Sequence, residues 1–130
     1  MKPSYHKEYR SVYKLTVHIV FVCKYRHQLL SHQRLGVVEQ SITSTCAKWD
    51  CTVLEMNGEL DHLHFVIDYP PKTALSKLIA NLKTVSSRLY KKQFNHDYAL
   101  WSGSYFVATC GGAPLEQIKH YVQNQNRPEA

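Results

Sequence analysis

The chain has 130 residues, of which 44% are hydrophobic and 20% are charged. This composition is typical of one globular domain and excludes an intrinsically disordered chain. Lys and Arg outnumber Asp and Glu by 16 to 10, and the resulting formal charge of +6 favours an anionic partner, with nucleic acid as the first candidate. We therefore expect a single basic domain over residues 1–130.

Residues 1–10 are polar and charged, without an apolar run that could form a signal peptide or cross a bilayer. This pattern predicts a cytoplasmic protein. The four cysteines, Cys23, Cys46, Cys51 and Cys110, show no CxxC spacing. We predict buried, reduced thiols rather than a zinc ribbon or a redox pair.

The first half of the chain predicts a strand, a helix and a hairpin. Residues 11–23 are rich in β-branched and aromatic side chains that alternate with polar ones, which indicates a strand. From about residue 31 to residue 49, apolar residues recur at intervals of three and four, the spacing of one helix face. Residues 51–55 and 61–69 predict two antiparallel strands joined at Asn57-Gly58, because Asn and Gly tolerate the positive φ of a tight turn.

The second half of the chain predicts a helix, a strand and a last helix. The proline pair at 70–71 ends the third strand because neither ring nitrogen can donate to a strand ladder, and Thr73 is the expected N-cap of the second helix. One face of that helix is apolar, and the opposite face is basic. Residues 105–109 indicate a fourth strand, Gly111-Gly112 a flexible joint, and Pro114 the first turn of the last helix.

This order of elements predicts a four-stranded antiparallel sheet with two helices on one face. The fold class is then α+β and ferredoxin-like, the architecture of RNA-recognition modules, with an additional C-terminal helix. Because this fold hosts unrelated functions, the function has to be sought in the site residues.

Two histidines on the third predicted strand form a candidate metal site. His62 and His64 are two residues apart, so both imidazoles leave the same face of the strand, about 7 Å apart at their roots. Leu63, Phe65 and Ile67 point the other way and can face the helices, which leaves the histidines on the open side of the sheet. The pair provides two ligands for one metal, and the alternative is two half-exposed surface histidines.

The last predicted helix carries two further candidate residues, which indicate a function only in combination with the other motifs. Tyr121 and Gln125 are four residues apart on the last predicted helix and present a phenol and an amide on one face. With nine tyrosines in the chain, Tyr121 alone is more simply explained as a packing residue than as a nucleophile.

Tyr25 could stack on an unpaired base, and basic side chains are candidates for phosphate contacts. These basic side chains are Lys24, Arg26, Lys77, Lys83, Arg88, Lys91 and Lys92.

Taken together, these features resemble the IS200/IS605 family of transposases, which are single-tyrosine HUH endonucleases, where U is a hydrophobic residue. The likeness covers nearly the whole chain, and similar segments also occur at residues 21–26, 70–72 and 82–88. The chain departs from the commoner family form at Leu60, where a Gly often precedes the Asp-His pair. The motifs that carry the resemblance are His62-Leu63-His64, residues 100–107 (LWSGSYFV), Gly111-Gly112, and Tyr121 with Gln125.

The resemblance implies that His62, His64 and Gln125 hold a divalent metal, Mg²⁺ or Mn²⁺, and that Tyr121 on a catalytic C-terminal helix is the nucleophile. The implied protein is a DNA transposase that cleaves and rejoins single-stranded DNA at insertion-sequence ends through a 5′-phosphotyrosine intermediate. The implied partners are hairpin ends of its mobile element and a second copy of the chain, in a homodimer with composite active sites.

Two alternatives remain open at this point. The first is a domesticated, repeat-associated tyrosine transposase that uses the same chemistry on dispersed chromosomal repeats. The second is a non-catalytic, RRM-like nucleic-acid-binding module, which would need exposed aromatic side chains on its central strands.

Overall fold

The computed structural model describes residues 5–8 and 11–110. A short hairpin pairs β1 (His6–Glu8) with β2 (Ser11–Tyr13). None of the helices in the described ranges is long and apolar enough to span a membrane. The remaining elements are β3 (Thr16–Cys23), α1 (His32–Lys48), β4 (Thr52–Glu59), β5 (His62–Asp68), α2 (Leu75–Gln93) and β6 (Trp101–Thr109).

The main sheet has four strands in the order β4-β5-β3-β6, and each neighbouring pair is antiparallel. Helix α1 connects β3 to β4 and α2 connects β5 to β6, so that each connection crosses one intervening strand. This confirms the ferredoxin-like α+β fold predicted from the order of elements. The predicted C-terminal helix lies outside the described residues.

The two helices pack against each other and against one face of the sheet, where the core lies. Because side chains alternate along a strand, every second residue of the central strands β3 and β5 points to this face. These residues pack with buried apolar side chains of both helices. The core residues on the helix-facing side of β3 and β5 are Val17, Ile19, Phe21, Cys23, Leu63, Phe65 and Ile67.

The predicted β4-β5 hairpin is present, but the predicted turn at Asn57-Gly58 is wrong. Both residues lie inside β4, and the chain reverses at Leu60 and Asp61 instead. Gly58 is needed for space, because a Cβ at this position would lie 2.5 Å from Leu35 Cδ1 of α1. A glycine inside a strand commonly marks such a close approach.

Two strand boundaries also differ from the prediction. The single strand expected over residues 11–23 is interrupted, because β2 ends at Tyr13 and β3 begins at Thr16. In this way β2 pairs with β1 instead of joining the main sheet. The last strand begins at Trp101 rather than at residue 105, because its first residues pair with the end of β3 across a register shift.

The start of α2 is not capped as predicted. The helix begins at Leu75 with Ala74 in the N-cap position, and no side chain caps it. The backbone amide of Thr73 donates instead to the carbonyl of Pro70, at 3.0 Å. The residues after the proline pair therefore form a separate turn before the helix starts.

The buried face of α2 is rotated slightly from the one that apolar spacing suggests. Val85 and Leu89 are 37% and 38% exposed, while Ser86 and Tyr90 are buried. Both buried hydroxyls have partners, since Ser86 Oγ accepts from Trp101 Nε1 at 2.9 Å and Tyr90 donates to the Leu29 carbonyl. Hydrogen bonding thus allows polar residues to occupy core positions.

All four cysteines are free thiols, as the sequence predicts, and three of them are buried. Burial raises the pKa of Cys23 and of Cys46 to about 12 in each case, so these thiols stay protonated at neutral pH. Cys110 departs from the prediction because it is only partly buried.

Candidate functional site

His62 and His64 lie at the beginning of β5 and project from the sheet face opposite to the helices. The strand register places Asn57 and Glu59 of β4 beside them. The two imidazole centroids are 5.7 Å apart, and the ring planes differ by 29°. At this separation the two imidazoles are close enough to act as ligands of one ion.

Both histidines are buried, although they occupy the side of the sheet that carries no described helix. Their exposed fractions are 6% for His62 and 7% for His64. Burial of an imidazole needs compensation by a hydrogen bond or a ligand. The pair therefore does not behave as two half-exposed surface histidines, which was the alternative interpretation of the motif.

Asp61 fixes the orientation of His62. The carboxylate Oδ1 lies 2.9 Å from His62 Nδ1, and both side chains are buried. An imidazole that donates from Nδ1 presents the lone pair of Nε2, and this pairing with a carboxylate is typical of metal-binding histidines. Sequence reasoning assigned no role to Asp61, although its position directly before His62 was the available signal.

His64 is held in the neutral form. Burial lowers its pKa, the neighbouring His62 lowers it further, and Glu59 and Glu55 oppose the shift. Its Nδ1 is buried and has no hydrogen-bond partner among the described residues. A neutral imidazole is the protonation state that binds metals, so His64 is suited to act as a ligand.

A third histidine, which sequence reasoning missed, lies on the same face of the sheet. His18 of β3 is 1% exposed, and its ring meets His64 edge-on, at 5.8 Å between centroids, and Phe106 at 5.9 Å. Burial and, secondly, His64 lower the pKa of His18 to about 4. His18 therefore packs as a neutral ring against His64, and its alternation with Val20 and Val22 was the signal that could have revealed it.

The described residues supply only part of a metal site. Within them, no group of three or more His, Cys, Asp or Glu side chains is arranged to hold a metal ion. A metal between His62 and His64 would need further ligands. The predicted third ligand, Gln125, and the predicted nucleophile, Tyr121, both lie outside the described residues.

The predicted DNA-binding residues occupy two elements. Tyr25 is 69% exposed and lies with Lys24 and Arg26 in the turn after β3. The others are on α2, where Lys77 and Lys92 are exposed. The structure brings four of the predicted cations together around one groove, and these are Lys24, Lys83, Arg88 and Lys91.

The fold and the site together define a ferredoxin-like protein with a buried histidine pair, oriented by an aspartate, on the sheet face opposite to its helices. Residues 11–125 match the family described as IS200-like transposases. The match spans most of the chain, and the chain therefore belongs to this family. This confirms the resemblance seen in the sequence motifs.

Individual relatives agree with this assignment. The chain is 29% identical over 114 residues to the transposase for insertion sequence element IS200 of Salmonella typhimurium, covering 83% of this chain and 74% of the relative. It is 27% identical over 126 residues to the ISDra2 transposase TnpA of Deinococcus radiodurans, covering 91% of this chain and 89% of the relative.

Two solved structures share the fold. A transposase crystal structure from Deinococcus radiodurans R1 has a TM-score of 0.77 at 25% identity, covering 95% of this chain and 99% of that one. A REP-associated tyrosine transposase bound to a REP hairpin has a TM-score of 0.59 at 16% identity, covering 90% of this chain and 68% of that one. The second likeness concerns the fold alone.

Proposed function

We propose that this protein is an insertion-sequence transposase that cleaves and rejoins single-stranded DNA through a covalent bond to Tyr121. The observation that carries the proposal is the buried pair of His62 and His64, with Asp61 orienting the first ring. Family membership provides the reaction class. The curated relatives are transposases of insertion sequences, which favours this function over a domesticated, repeat-associated one.

The residues proposed to hold the metal are His62, His64 and Gln125. Two imidazoles and an amide oxygen suit Mn²⁺ better than Mg²⁺ by ligand type, although Mg²⁺ is the other candidate. When bound, the ion would polarise the scissile phosphate and neutralise the charge that develops on it. Asp61 would keep the Nε2 lone pair of His62 directed at the ion through its hydrogen bond to Nδ1.

The proposed reaction is a transesterification at phosphorus. The phenol oxygen of Tyr121 attacks the phosphate and loses its proton, while the bond from phosphorus to the 3′ oxygen breaks. The departing oxygen takes up a proton and becomes a free 3′-hydroxyl, and the downstream strand remains attached as a 5′-phosphotyrosine. Because the new ester conserves the energy of the broken one, another 3′-hydroxyl can attack it, release the tyrosine and reseal the strand without ATP.

The proposed partners are hairpin-forming single-stranded DNA and a second copy of the chain. One solved neighbour is itself described as bound to a REP hairpin. In the proposed homodimer each active site combines His62 and His64 of one chain with Tyr121 of the other. The Gly111-Gly112 pair before Pro114 favours this arrangement, because glycine permits backbone conformations that would let the following segment reach a partner.

The buried central strands argue against the RNA-recognition alternative. Such modules stack bases on exposed aromatic side chains of the two central strands. In this chain every residue of β3 is buried, and so is every residue of β5 except Asp68. The two central strands therefore provide no exposed aromatic platform.

The proposal is tested with single-stranded oligonucleotides tiled across both flanks of the coding gene, incubated with the protein and Mn²⁺. A 3′-labelled substrate should give a labelled protein band that survives denaturation, and a 5′-labelled substrate should give a shortened free fragment. EDTA should abolish both products. Failure of every oligonucleotide to form an adduct with Mn²⁺ or Mg²⁺ would overturn the proposal, and adducts labelled only from the 5′ end would overturn its polarity.

A further inference from the structure

A basic groove of about 380 Å³ lies between α2, the turn Lys24–Arg26 and the beginning of β6. Its floor includes Trp101, which is only 4% exposed. Among the described residues that line the groove, none is acidic. The cations that line it are Lys24, Lys83, Arg88 and Lys91, and the hydroxyl groups are those of Thr84, Ser87 and Ser102.

The wall formed by α2 is a regular stripe of hydrogen-bond donors. Thr84, Ser87, Arg88 and Lys91 follow one another at intervals of three, one and three residues, which places them on one face of the helix. The stripe is about two turns long, or on the order of 10 Å. A stripe of this length can contact consecutive phosphates of an extended strand, whereas a single small anion would need only one or two of these groups.

Hydrogen bonds to β6 and to the residue before it hold the wall in place. Lys83 Nζ donates to the carbonyl of Ser102 at 2.7 Å, and Ser87 Oγ accepts from the backbone amide of Leu100 at 3.0 Å. Burial, and secondly the proximity of Lys24, lower the pKa of Lys83. Lys83 is thus held partly buried and close to Lys24 at an energetic cost, which a bound polyanion would offset.

An exposed aromatic side chain adjoins the groove. Lys24 Nζ lies 5.6 Å from the ring centroid of Tyr25, which is 69% exposed. Tyr25 and Arg26 have φ angles of 58° and 55°, a left-handed conformation that is uncommon and costly for residues with bulky side chains. The backbone conformation of the turn is therefore energetically unfavourable, and in this conformation the Tyr25 ring is exposed to solvent.

Two neighbouring rings contact Tyr25. His27 and Tyr98 have their ring centroids 5.4 Å and 5.8 Å from that of Tyr25. His27 Nδ1 and the Tyr98 hydroxyl are hydrogen bonded at 2.6 Å, which links the turn to the segment before β6. An aromatic ring that neighbouring rings hold in place and that is still 69% exposed is the kind of surface on which an unpaired base stacks.

We propose that the groove and Tyr25 form one binding site for single-stranded DNA, with backbone phosphates along the α2 stripe and one base stacked on Tyr25. This inference rests on the proposed function for the choice of DNA as the polyanion. The site is distinct from the histidine pair, which lies on the other face of the sheet. Both sites meet at one end of the sheet, because Cys23, which precedes Lys24, donates its backbone amide to the carbonyl of Asp61.

The phosphate half of the site is tested by fluorescence anisotropy with labelled oligothymidylate in EDTA, so that neither metal nor cleavage contributes. The groove variant is Arg88→Gln with Lys91→Gln. The matched control is Lys7→Gln with Lys48→Gln, which removes the same charge from exposed positions that lie outside the groove and that are not candidates for phosphate contacts. Thermal melting checks that both variants are folded.

In the groove variant, the slope of log K against log salt should fall by about 1.4, since each lost phosphate contact on a single strand accounts for about 0.7. The control should keep a slope close to that of the wild type. Equal slopes in the wild type and the groove variant, or equal losses in the groove and control variants, would overturn the proposal.

The base half is tested with Tyr25→Ala and Tyr25→Phe on two probes, oligothymidylate and an abasic strand of the same length. Tyr25→Ala should weaken binding of oligothymidylate by about fivefold to a hundredfold, and Tyr25→Phe should retain it, because stacking needs only the ring. Neither variant should change binding of the abasic strand. A loss of the same size on both probes would exclude stacking on Tyr25.

The outcome is separable from that of the proposed function. A wild-type protein that forms the covalent adduct, with no change of salt slope in the groove variant, would overturn the groove alone. A wild-type protein that forms no adduct but shows the expected loss of slope would leave the groove standing and overturn the catalytic proposal.

Discussion

At the scale of single residues, burial separates His62, His64 and their neighbour His18 from the exposed His6, His27 and His32. A buried imidazole without a partner is unfavourable, and His64 Nδ1 lacks one among the described residues. The Asp61 carboxylate is placed where it holds one ring, and His18 packs against the other. Such an arrangement is costly for stability alone, and it is explained if the two rings serve as metal ligands.

Replacing either histidine should therefore abolish metal-dependent cleavage. We expect His62→Ala and His64→Ala each to remove measurable Mn²⁺ binding in calorimetry and adduct formation on DNA, because each change deletes one of three proposed protein ligands. Asp61→Asn should have a graded effect, lowering Mn²⁺ affinity by about 10- to 100-fold, since it only loosens the orientation of His62.

The control for these substitutions is His32→Ala, which removes an exposed histidine at the start of α1. It should leave both Mn²⁺ affinity and adduct yield unchanged. If Mn²⁺ bound as tightly to His62→Ala and His64→Ala as to the wild type, the metal site would have to lie elsewhere.

The nucleophile is tested by a change of a single oxygen atom. Tyr121→Phe should eliminate the covalent adduct while affinity for single-stranded DNA, measured by anisotropy, stays within about twofold, because the aromatic ring remains and only the attacking group is lost. Tyr5→Phe, at an exposed tyrosine, is the matched control and should form the adduct normally. A normal yield of adduct from Tyr121→Phe would assign the reaction to another side chain.

At the scale of elements, local sequence patterns predict which helices and strands form but not why some residues are where they are. The alternation in β3 and the helical spacing in α1 are local properties, and both elements are present. Gly58 led to a wrong prediction of a turn, because the glycine there leaves space for Leu35. Leu35 lies more than 20 positions earlier in the chain, and only the fold brings it near. Ser86 is a second example of a residue explained by a distant partner, because Trp101 donates a hydrogen bond to its buried hydroxyl.

The candidate site likewise has a part that the sequence predicts and a part that depends on contacts between elements. His62 and His64 are predictable because a strand period of two places them on one face without any tertiary information. The contact between His18 and His64 depends on the pairing of β3 with β5, which sequence spacing does not reveal. The basic face of α2 is visible as a periodic pattern, but its meeting with Lys24 follows from the position of the β3 turn beside α2.

Gly36 and Gly58 should respond to alanine in opposite directions. Gly36 is exposed within α1, and a Cβ there meets nothing within 4 Å. Gly36→Ala should raise the free energy of unfolding by about 0.5–1 kcal/mol through helix propensity. Gly58→Ala should lower it by about 1–3 kcal/mol, because the new methyl group overlaps Leu35. Urea denaturation measures both.

Overlap with Leu35, the cause assigned to the loss of stability in Gly58→Ala, can be checked directly. Leu35→Ala removes the atoms that a Cβ on Gly58 would meet. Gly58→Ala should then cost less in the Leu35→Ala background than in the wild type, giving a coupling of about 0.5 kcal/mol or more between the two positions. Additive losses would show that steric overlap with Leu35 is not the reason for the glycine.

At the scale of the whole molecule, the edge of the sheet at β6 is apolar and exposed. Tyr105, Phe106 and Val107 are 42%, 38% and 38% exposed, on a strand whose one partner among the described strands is β3. An exposed, apolar edge strand is a surface that proteins usually cover. Its position directly before the Gly111-Gly112 joint fits the proposed homodimer, since a partner at this edge would be within reach of the segment that carries Tyr121.

The composite arrangement is tested by mixing two inactive chains. His64→Ala and Tyr121→Phe chains, carrying different affinity tags, are co-expressed, and the mixed dimers are purified through both tags. If the last helix is exchanged, one site of each mixed dimer has an intact histidine pair and Tyr121, while the other site lacks His64 and the tyrosine hydroxyl. Adduct formation should then return to about half of the wild-type level per dimer.

In a cis arrangement each site of the mixed dimer would carry one of the two lesions. Mixed dimers that form no more adduct than either mutant homodimer would therefore exclude the exchange of the helix. The identity of the labelled chain gives an independent check, because only the His64→Ala chain retains Tyr121. DNA attached to that chain, which lacks a complete histidine pair of its own, can arise only if its tyrosine acts in the partner's site.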